Sequence, residues 1–204
     1  MKRVKLYLLF LLCFTCSLFA EEKERSNLAI ILDLENIASF ASYNISYYSD
    51  SGLSNTISSL SLSNENREIE NESIKNSGEF YLKWDINSPY PCSIELSSDV
   101  PLYGNAGRYG LEYIPIKATI EPNGALVNSS FNSSNNIWGT TEDFVNSDQG
   151  KKPYIEGKKF VSMNNSSTNP NASGSVKITL ETGNAYGRAP QNYLCNLVFK
   201  VISN

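Results

Sequence analysis

The clearest pattern in the chain is an alternation of apolar and polar residues near its C-terminus. From Asn192 to Ile202 every second residue is apolar or aromatic, and the residues between them are mixed. A period of two is that of a β-strand with one buried face. We predict that this segment is the closing strand of the fold. Its alternating positions are Tyr193, Cys195, Leu197, Phe199 and Val201.

Two neighbouring segments in the middle of the chain show the same alternation. The turn-forming sequence Ser88–Pro91 separates them and ends the first one. We predict a hairpin in which Trp84 belongs to the core and Cys92 lies on the buried side. The inward positions are Phe80, Leu82, Trp84 and Ile86 before the turn, and Cys92, Ile94 and Leu96 after it.

Shorter runs predict further strands. The segment Asn27–Phe40 is ambiguous, because its apolar residues fit both a strand and one face of a helix. Asp33 and Glu35 alternate with those apolar residues, which favours the strand. The other candidate strands are Tyr43–Tyr48, Ile57–Leu62, Leu111–Ile120, Tyr154–Met163 and Gly174–Thr182.

Taken together, these runs predict the fold class. About eight short runs are separated by turns rich in Gly, Pro, Asn and Ser, and no long helical period is present. The pattern indicates an all-β fold, an antiparallel β-sandwich of the immunoglobulin-like or pilin-like kind. We expect a single domain over residues 21–204, in which the Asn- and Ser-rich segments Asn128–Gly150 and Asn164–Ser173 are long loops.

The N-terminus has the three parts of an export signal. A basic start precedes an apolar run that ends at Phe19, and Ala20 precedes a charged segment. The apolar run is shorter than a membrane span needs, so we expect a signal peptide over residues 1–20. Two alternatives are a retained membrane anchor and lipid attachment at Cys16. The predicted address is the periplasm, the outer surface or the medium.

Net charge narrows the choice of partners. Residues 1–20 hold three of the 17 basic residues and none of the 21 acidic ones, which leaves 14 basic against 21 acidic, a net charge of −7. An acidic chain without long basic runs argues against binding to nucleic acid or to an anionic membrane surface. The Asn-, Ser-, Lys- and Ile-rich composition is typical of a bacterium with an AT-rich genome.

The cysteines predict a covalent link. Of four cysteines, Cys13 and Cys16 lie in the predicted signal peptide, which leaves Cys92 and Cys195. Two thiols in an exported chain most simply form one disulfide. The alternative is a pair of buried thiols that are not joined.

Catalytic chemistry finds little support in the composition. The chain has no histidine, which excludes Ser-His-Asp and Cys-His arrangements and removes the commonest nitrogen ligand of zinc. A carboxylate pair of the glycosidase type is conceivable at Asp85 and Glu95, on adjacent predicted strands, although both also fit ordinary outward charges. A calcium loop at Asp143, Asn146 and Asp148 does not match the spacing of a dedicated site. We therefore expect no cofactor and no enzymatic activity.

Aromatic residues offer a different kind of site. The chain contains twelve tyrosines and two tryptophans, and Trp138 lies in a polar Asn-, Ser- and Thr-rich segment without a period that would bury it. A flat ring among amides and hydroxyls is suited to stacking against a sugar. We predict Trp138, Tyr103 and Tyr109 as ligand-binding residues, with Tyr47 and Tyr48 as further candidates. The alternative is that these rings anchor loops onto the sandwich.

Three functional hypotheses follow from these features. The first is a non-enzymatic surface protein with a structural or adhesive role, which binds other proteins or copies of itself through the apolar segment Leu28–Leu34 at a sheet edge. In overall plan, although in no particular motif, such a chain resembles bacterial pilin and adhesin domains. The second is a carbohydrate-binding module that uses Trp138. The third is a hydrolase with a carboxylate pair.

Overall fold

The computed structural model of the protein describes residues 28–36, 41–62, 68–70, 73–98, 102–105, 111–139, 144–145, 154–183 and 192–203. The predicted signal peptide with Cys16 and the calcium candidates Asp143, Asn146 and Asp148 lie outside these residues. The described residues form strands β1 (Leu28–Asn36), β2 (Ser42–Tyr48), β3 (Thr56–Ile57), β4 (Ser59–Ser61), β5 (Glu68–Glu70), β6 (Ser73–Lys75), β7 (Ser77–Asn87), β8 (Cys92–Ser98), β9 (Leu102–Asn105), β10 (Leu111–Ile114), β11 (Ile116–Pro122), β12 (Ser129–Phe131), β13 (Ile137–Trp138), β14 (Phe144–Val145), β15 (Tyr154–Met163), β16 (Asn171–Thr182) and β17 (Tyr193–Ser203).

These strands form two large sheets. Sheet I has nine strands in the order β10-β9-β17-β8-β15-β12, with β1 paired to β17 and β4, and β14 paired to β15. Sheet II has six strands in the order β13-β11-β16-β7-β2-β3. Strands β5 and β6 form a separate two-stranded ribbon. The prediction of a strand over the ambiguous segment Asn27–Phe40 is confirmed by β1.

The core lies between the two sheets. Phe199 of sheet I is completely buried, and its ring centroid lies 5.4 Å from that of Tyr47 and 6.1 Å from that of Phe80, both in sheet II. On its own sheet it contacts Phe160 at 6.3 Å in an edge-to-face arrangement. Burial of each such side chain contributes about 1.5–3 kcal/mol. The predicted β-sandwich is therefore confirmed.

Strand β17 is the centre of sheet I. All five positions that alternate from Tyr193 to Val201 are buried, as the sequence predicts. One edge of β17 pairs with β8 over Leu197–Ser203, and the other pairs with β1 in parallel, from Leu28 opposite Tyr193 onward. Parallel neighbours need a long connection. Here that connection is almost the whole chain, since β1 and β17 lie at opposite ends of the described sequence.

Two segments that the sequence predicts to lie within one sheet cross from one sheet to the other. The predicted hairpin around Ser88–Pro91 is wrong, because β7 belongs to sheet II and β8 to sheet I. The predicted strand Leu111–Ile120 is divided at Pro115 into β10 of sheet I and β11 of sheet II. A proline has no N–H to give to a sheet, which makes it a natural point of division. Alternation continues across Pro115, so Ile114 and Ile116 are both buried.

The predicted disulfide between Cys92 and Cys195 is not formed. Both thiols are buried, but they are not joined to each other. Cys92 lies opposite Ser203, eight residues along β17 from Cys195, which corresponds to about 27 Å at about 3.4 Å per residue. A disulfide needs Cα atoms within about 7 Å of each other. Alternation places both cysteines on the inner face, but it does not place them at the same end of the sheet.

The two segments predicted as loops contain regular structure. Strands β12 and β13 and a 3-10 turn (Ser133–Asn135) form within the first of them. Within the second, β16 begins at Asn171, three residues before the alternation of Gly174–Thr182 becomes visible. Asparagine and serine have low strand propensity, yet both form strand here because the neighbouring β7 supplies the pairing.

Candidate functional site

The outer face of sheet II carries a depression, the trough, of about 460 Å³ that is open to solvent. Its side chains come from three adjacent strands and from Val127 beside them. Strands β2 and β16 flank β7, so they lie about 10 Å apart, two strand spacings. The outward side chains that line the trough are Ser42, Asn44, Asp85, Asn87, Asn171, Ser173 and Val127.

Strand register arranges these side chains in two rows. The first row runs from Ser42 across Asn87 to Asn171. Directly opposed residues on neighbouring strands share a face, and their Cβ atoms lie about 5 Å apart. The row is therefore a continuous strip of a hydroxyl and two amides.

The second row lies two residues further along each strand. It runs from Asn44 across Asp85 to Ser173, and Val127 follows it as an isolated bridge partner of Ser173. Val127 is 56% exposed, which makes it the apolar end of an otherwise polar row.

Hydrogen bonds within the trough leave much of the hydrogen-bonding capacity of its side chains unused. Asn87 Nδ2 donates to Asn171 Oδ1 at 2.7 Å, and Asn44 Oδ1 accepts from the Ser46 hydroxyl at 3.4 Å. Within the described residues, the other side-chain polar atoms of these three asparagines have no partner. An amide offers two N–H donors and two acceptor lone pairs, so each keeps donors, acceptors or both for a ligand.

The charge of the trough is balanced. Asp85 contributes a carboxylate whose Oδ2 lies 3.5 Å from Lys83 Nζ, and both side chains are about half exposed. An exposed ion pair of this kind contributes little to stability, at most about 1 kcal/mol. Its effect here is local neutrality, since the remaining lining side chains carry no charge.

One end of the trough is held by a network of amides. Asn128 Nδ2 lies within hydrogen-bond distance of Asn165 Oδ1 at 3.2 Å and of the Asn171 carbonyl at 3.3 Å. Asn165 is 2% exposed, and its own amide donates to the Pro170 carbonyl at 2.9 Å. The Ser88 N–H also donates to Pro170 at 2.9 Å. These bonds fix the turn that leads into Asn171 and give the trough a defined rim.

The carboxylates with shifted pKa values lie at the other end of sheet II. A hydrogen bond from Lys177 lowers the pKa of Glu79, and hydrogen bonds from the Asn55 backbone and the Ser54 side chain lower that of Asp50. Both shifts favour the ionised form. A general acid requires the opposite shift, a raised pKa.

The structure does not make Trp138 a ligand platform. The side chain is 1% exposed and lies opposite the buried Ala118, with Ile137 on the outward side. A stacking ring needs an accessible face. Strand β13 has two residues, too few for its period to be visible in the sequence, so the prediction is corrected here. Trp138 belongs to the core, as Trp84 does, in agreement with the prediction for Trp84.

Of the remaining predicted aromatics, the structure describes the side chains of Tyr47 and Tyr48. Tyr47 is 9% exposed and packs in the core, and Tyr48 is half-buried. Of Tyr103 the structure describes the backbone, in β9 opposite Leu194 of sheet I. Tyr109 lies outside the described residues. The prediction for Tyr103 and Tyr109 stays a prediction.

The proposed carboxylate pair is separated by the division between the sheets. Asp85 lies in β7 of sheet II opposite Asn44 and Ser173, whereas Glu95 lies in β8 of sheet I opposite Lys159 and Lys200. The pair was expected because the two strands were expected to be neighbours. Glu95 instead lies between two lysine positions, and Asp85 belongs to the trough.

Metal chemistry has no support in the part of the chain that the structure describes. No group of three or more His, Cys, Asp or Glu side chains comes together there. Within those same residues, no helix combines the length and apolar character required to cross a membrane.

Sequence reasoning missed the trough, although it assigned part of it correctly. Asp85 and Asn87 are outward positions in the predicted alternation of β7. Their partners in β2 and β16 are asparagines and serines in segments with weak alternation, and no local signal gives the order β16-β7-β2. Asn171 and Ser173 lie in a segment that was predicted to be a loop, and Asn44 lies in a predicted strand whose neighbours were not predicted.

Comparison with known proteins finds weak structural similarity to solved β-rich structures. CBM3b of the major scaffoldin subunit ScaA from Acetivibrio cellulolyticus aligns over 70% of this chain and 71% of that chain, with 12% identity and a TM-score of 0.21. The major pilin subunit of Bacillus cereus aligns over 81% of this chain and 60% of that chain, with 8% identity and a TM-score of 0.18. The yeast delta-COP-I mu-homology domain aligns over 86% and 95%, with 7% identity and a TM-score of 0.19.

TM-scores this low assign neither a family nor a function to the chain. No family model matches the sequence, and no curated protein matches it.

Proposed function

We propose that the protein is an exported, non-enzymatic adhesive protein that holds its ligand in the trough on the outer face of sheet II. The observation that carries this proposal is the trough itself. It combines an open depression of about 460 Å³ with outward amides and hydroxyls that have unused hydrogen-bonding capacity. Depressions of about 300–1,000 Å³ with a few convergent polar groups are typical of ligand sites.

A role in binding is supported over a role in catalysis by the chemistry of the side chains. The chain has no histidine, and its candidate carboxylate pair lies on two different sheets. Amides and hydroxyls hold a ligand well but are poor proton acceptors, and the carboxylate among the lining side chains, Asp85, is paired with Lys83. The basic, then apolar N-terminus supports export.

Self-association through the N-terminal strand is the second candidate function. Strand β1 pairs with β17 of its own chain, and Ile30 is completely buried there. Exchange between copies would require β1 to leave this position and expose Ile30. The trough needs no rearrangement, and for that reason it is the favoured site.

A substitution that fills the trough tests the proposal without assuming a ligand. We expect Ser173→Ile to lower binding at least about tenfold in a screen against immobilised glycans and host-surface proteins, because the larger side chain occupies the second row. The matched control is Thr179→Ile, six residues along the same outward face of β16. Equal binding by the wild type and Ser173→Ile would contradict the assignment of the trough.

A further inference from the structure

We infer that the ligand of the trough is a neutral saccharide, an inference that rests on the proposed function and adds the chemical class of the ligand. The argument uses the hydrogen-bonding inventory, the charge and the shape of the site.

The hydrogen-bonding groups of the trough match those of a sugar. Each hydroxyl of a saccharide is both donor and acceptor, and it is best held by partners that also offer both. Asn44, with its amide nitrogen unused, faces Asp85 and Ser173 in the second row, and Asn171 keeps its amide nitrogen in the first. Two rows about 7 Å apart, with strands about 4.8 Å apart, present donors and acceptors in two directions, as a pyranose ring does.

Local charge argues against ionic ligands. A phosphate, sulfate or carboxylate ligand is normally held by several cations or by a bidentate Arg. The cation next to the lining is Lys83, and it is already paired with Asp85 at 3.5 Å. A cationic ligand would find one carboxylate oxygen, Asp85 Oδ1, because Oδ2 is paired with Lys83. The trough is therefore suited to a neutral ligand whose affinity comes from hydrogen bonds.

The apolar end of the second row adds a surface for the C–H groups of a ring. Val127 is 56% exposed and is linked to Ser173 by two backbone hydrogen bonds, at 2.8 and 3.1 Å. It is thus a fixed apolar contact next to a hydroxyl. Sugars have apolar patches of C–H groups beside their hydroxyls, and a valine next to amides and hydroxyls matches that alternation.

The side chains of the trough lie on a sheet face, and their central strand is not at an edge of the sheet. Peptide ligands of sheets commonly add a strand to an open edge, where main-chain hydrogen bonds supply the affinity. The central strand of the trough, β7, is paired on both sides along the lining residues. Its backbone groups are used in the sheet, so recognition comes from side chains. A saccharide, which needs no backbone pairing, fits this better than an extended peptide.

The test is a printed array of neutral, sulfated and sialylated oligosaccharides, probed with the purified chain and two trough variants. We expect binding to neutral oligosaccharides, weakened about five- to tenfold by Asn44→Ala and by Asn171→Ala, since each removes a neutral hydrogen-bonding group. The matched control is Asn196→Ala, which removes a half-buried amide from β17 in sheet I. Binding to a neutral ligand should also persist at about 0.5 M salt. Melting curves confirm that the variants fold.

Other outcomes separate the inference from the proposed function. Binding confined to host proteins, and lost in Ser173→Ile, overturns the saccharide inference and leaves the adhesive function in place. A preference for sulfated or sialylated chains that salt abolishes also overturns the inference. Saccharide binding that Asn44→Ala, Asn171→Ala and Ser173→Ile all leave unchanged overturns both.

Discussion

The outer faces of the two sheets differ in what they expose. On sheet I, Leu194 is 49% exposed, Tyr113 is 45% exposed and Ile31 is 43% exposed. On sheet II, the corresponding outward positions of β2, β7 and β16 are mostly Asn, Ser, Asp and Lys, and a depression crosses them. Both faces arise from the same period of two. Alternation decides which residues point outward, but the chemistry of those residues decides what each face can bind.

The same comparison explains why the aromatic residues lie in the core and not at the candidate site. An aromatic-rich sequence suggested rings at the ligand site, yet the two tryptophans and the rings around Phe199 are packed between the sheets. Burial of a large ring stabilises the fold, so most of the large aromatic side chains lie at inward positions and form the core. The polar residues that remain outward on sheet II then form the candidate site.

The largest expected effect comes from truncating a core side chain that packs between the two sheets. Phe199→Ala should destabilise the protein by about 3–5 kcal/mol, because it leaves a cavity beside Tyr47, Phe80 and Phe160. Urea unfolding followed by circular dichroism measures the loss. The control is Leu194→Ala in the same strand, for which we expect a loss of less than about 1 kcal/mol because Leu194 is 49% exposed. Similar losses in the two variants would contradict the assignment of inner and outer faces.

A smaller effect is expected from a change beneath the trough alone. Gly174 lies opposite Trp84, and a Cβ added to it would lie 2.6 Å from Trp84 Cζ2 and 2.7 Å from Leu126 Cδ2. Gly174→Ala should therefore cost about 1–3 kcal/mol through overpacking, and it should displace the backbone next to Ser173. Thermal unfolding measures the cost.

Its control is a glycine with more room. Gly52→Ala would place a Cβ 3.2 Å from Asp50 Oδ2, a single and longer contact, so we expect a change of about 0.5 kcal/mol or less. If Gly174→Ala is as mild as Gly52→Ala, the close approach of β16 to Trp84 is wrong, and so is the floor of the trough.

How much the sequence could predict depends on whether a property is local. The alternation of β17 predicted which of its residues are buried, and the set of about eight such runs predicted the fold class. The choice of neighbour is not local: Ser88–Pro91 could join two strands of one sheet or pass between sheets, and the sequence favoured the wrong alternative. The disulfide prediction failed for the same reason, since Cys92 and Cys195 share a face but not an end.

The candidate site was the least predictable part for a related reason. Asn44, Asp85 and Ser173 lie in three segments that are far apart in sequence, and they meet through the register of β2, β7 and β16. Their residue types are those of ordinary turns and solvent faces. The missing information was the order in which the strands pair, which the alternation within one strand does not contain.

The smallest expected effect concerns an ion pair at the far end of the outer face of sheet II. Glu79 Oε2 lies 2.6 Å from Lys177 Nζ, and the Tyr81 hydroxyl donates to Glu79 Oε1 at 3.3 Å. The hydrogen bond from Lys177 lowers the pKa of Glu79 below its ordinary value of 4.5. Both charged side chains are partly exposed, so solvent screens the pair, and we expect Glu79→Gln to cost about 0.2–1 kcal/mol at neutral pH.

The pH dependence of that cost has a definite sign. Because the folded-state pKa of Glu79 is lowered, its contribution is fully present above the unfolded value, about 4.5, and is lost as the pH falls through the folded value. The stability difference between the wild type and Glu79→Gln should therefore be constant near neutral pH and vanish in acid. It should also shrink in about 1 M salt, where the screening length is about 3 Å. The matched variant Asp85→Asn breaks the longer Lys83–Asp85 pair of the trough, at 3.5 Å, and should cost less. If Asp85→Asn costs more than Glu79→Gln, the trough carboxylate has a partner stronger than Lys83, and the local neutrality on which the choice of a neutral ligand rests would be wrong.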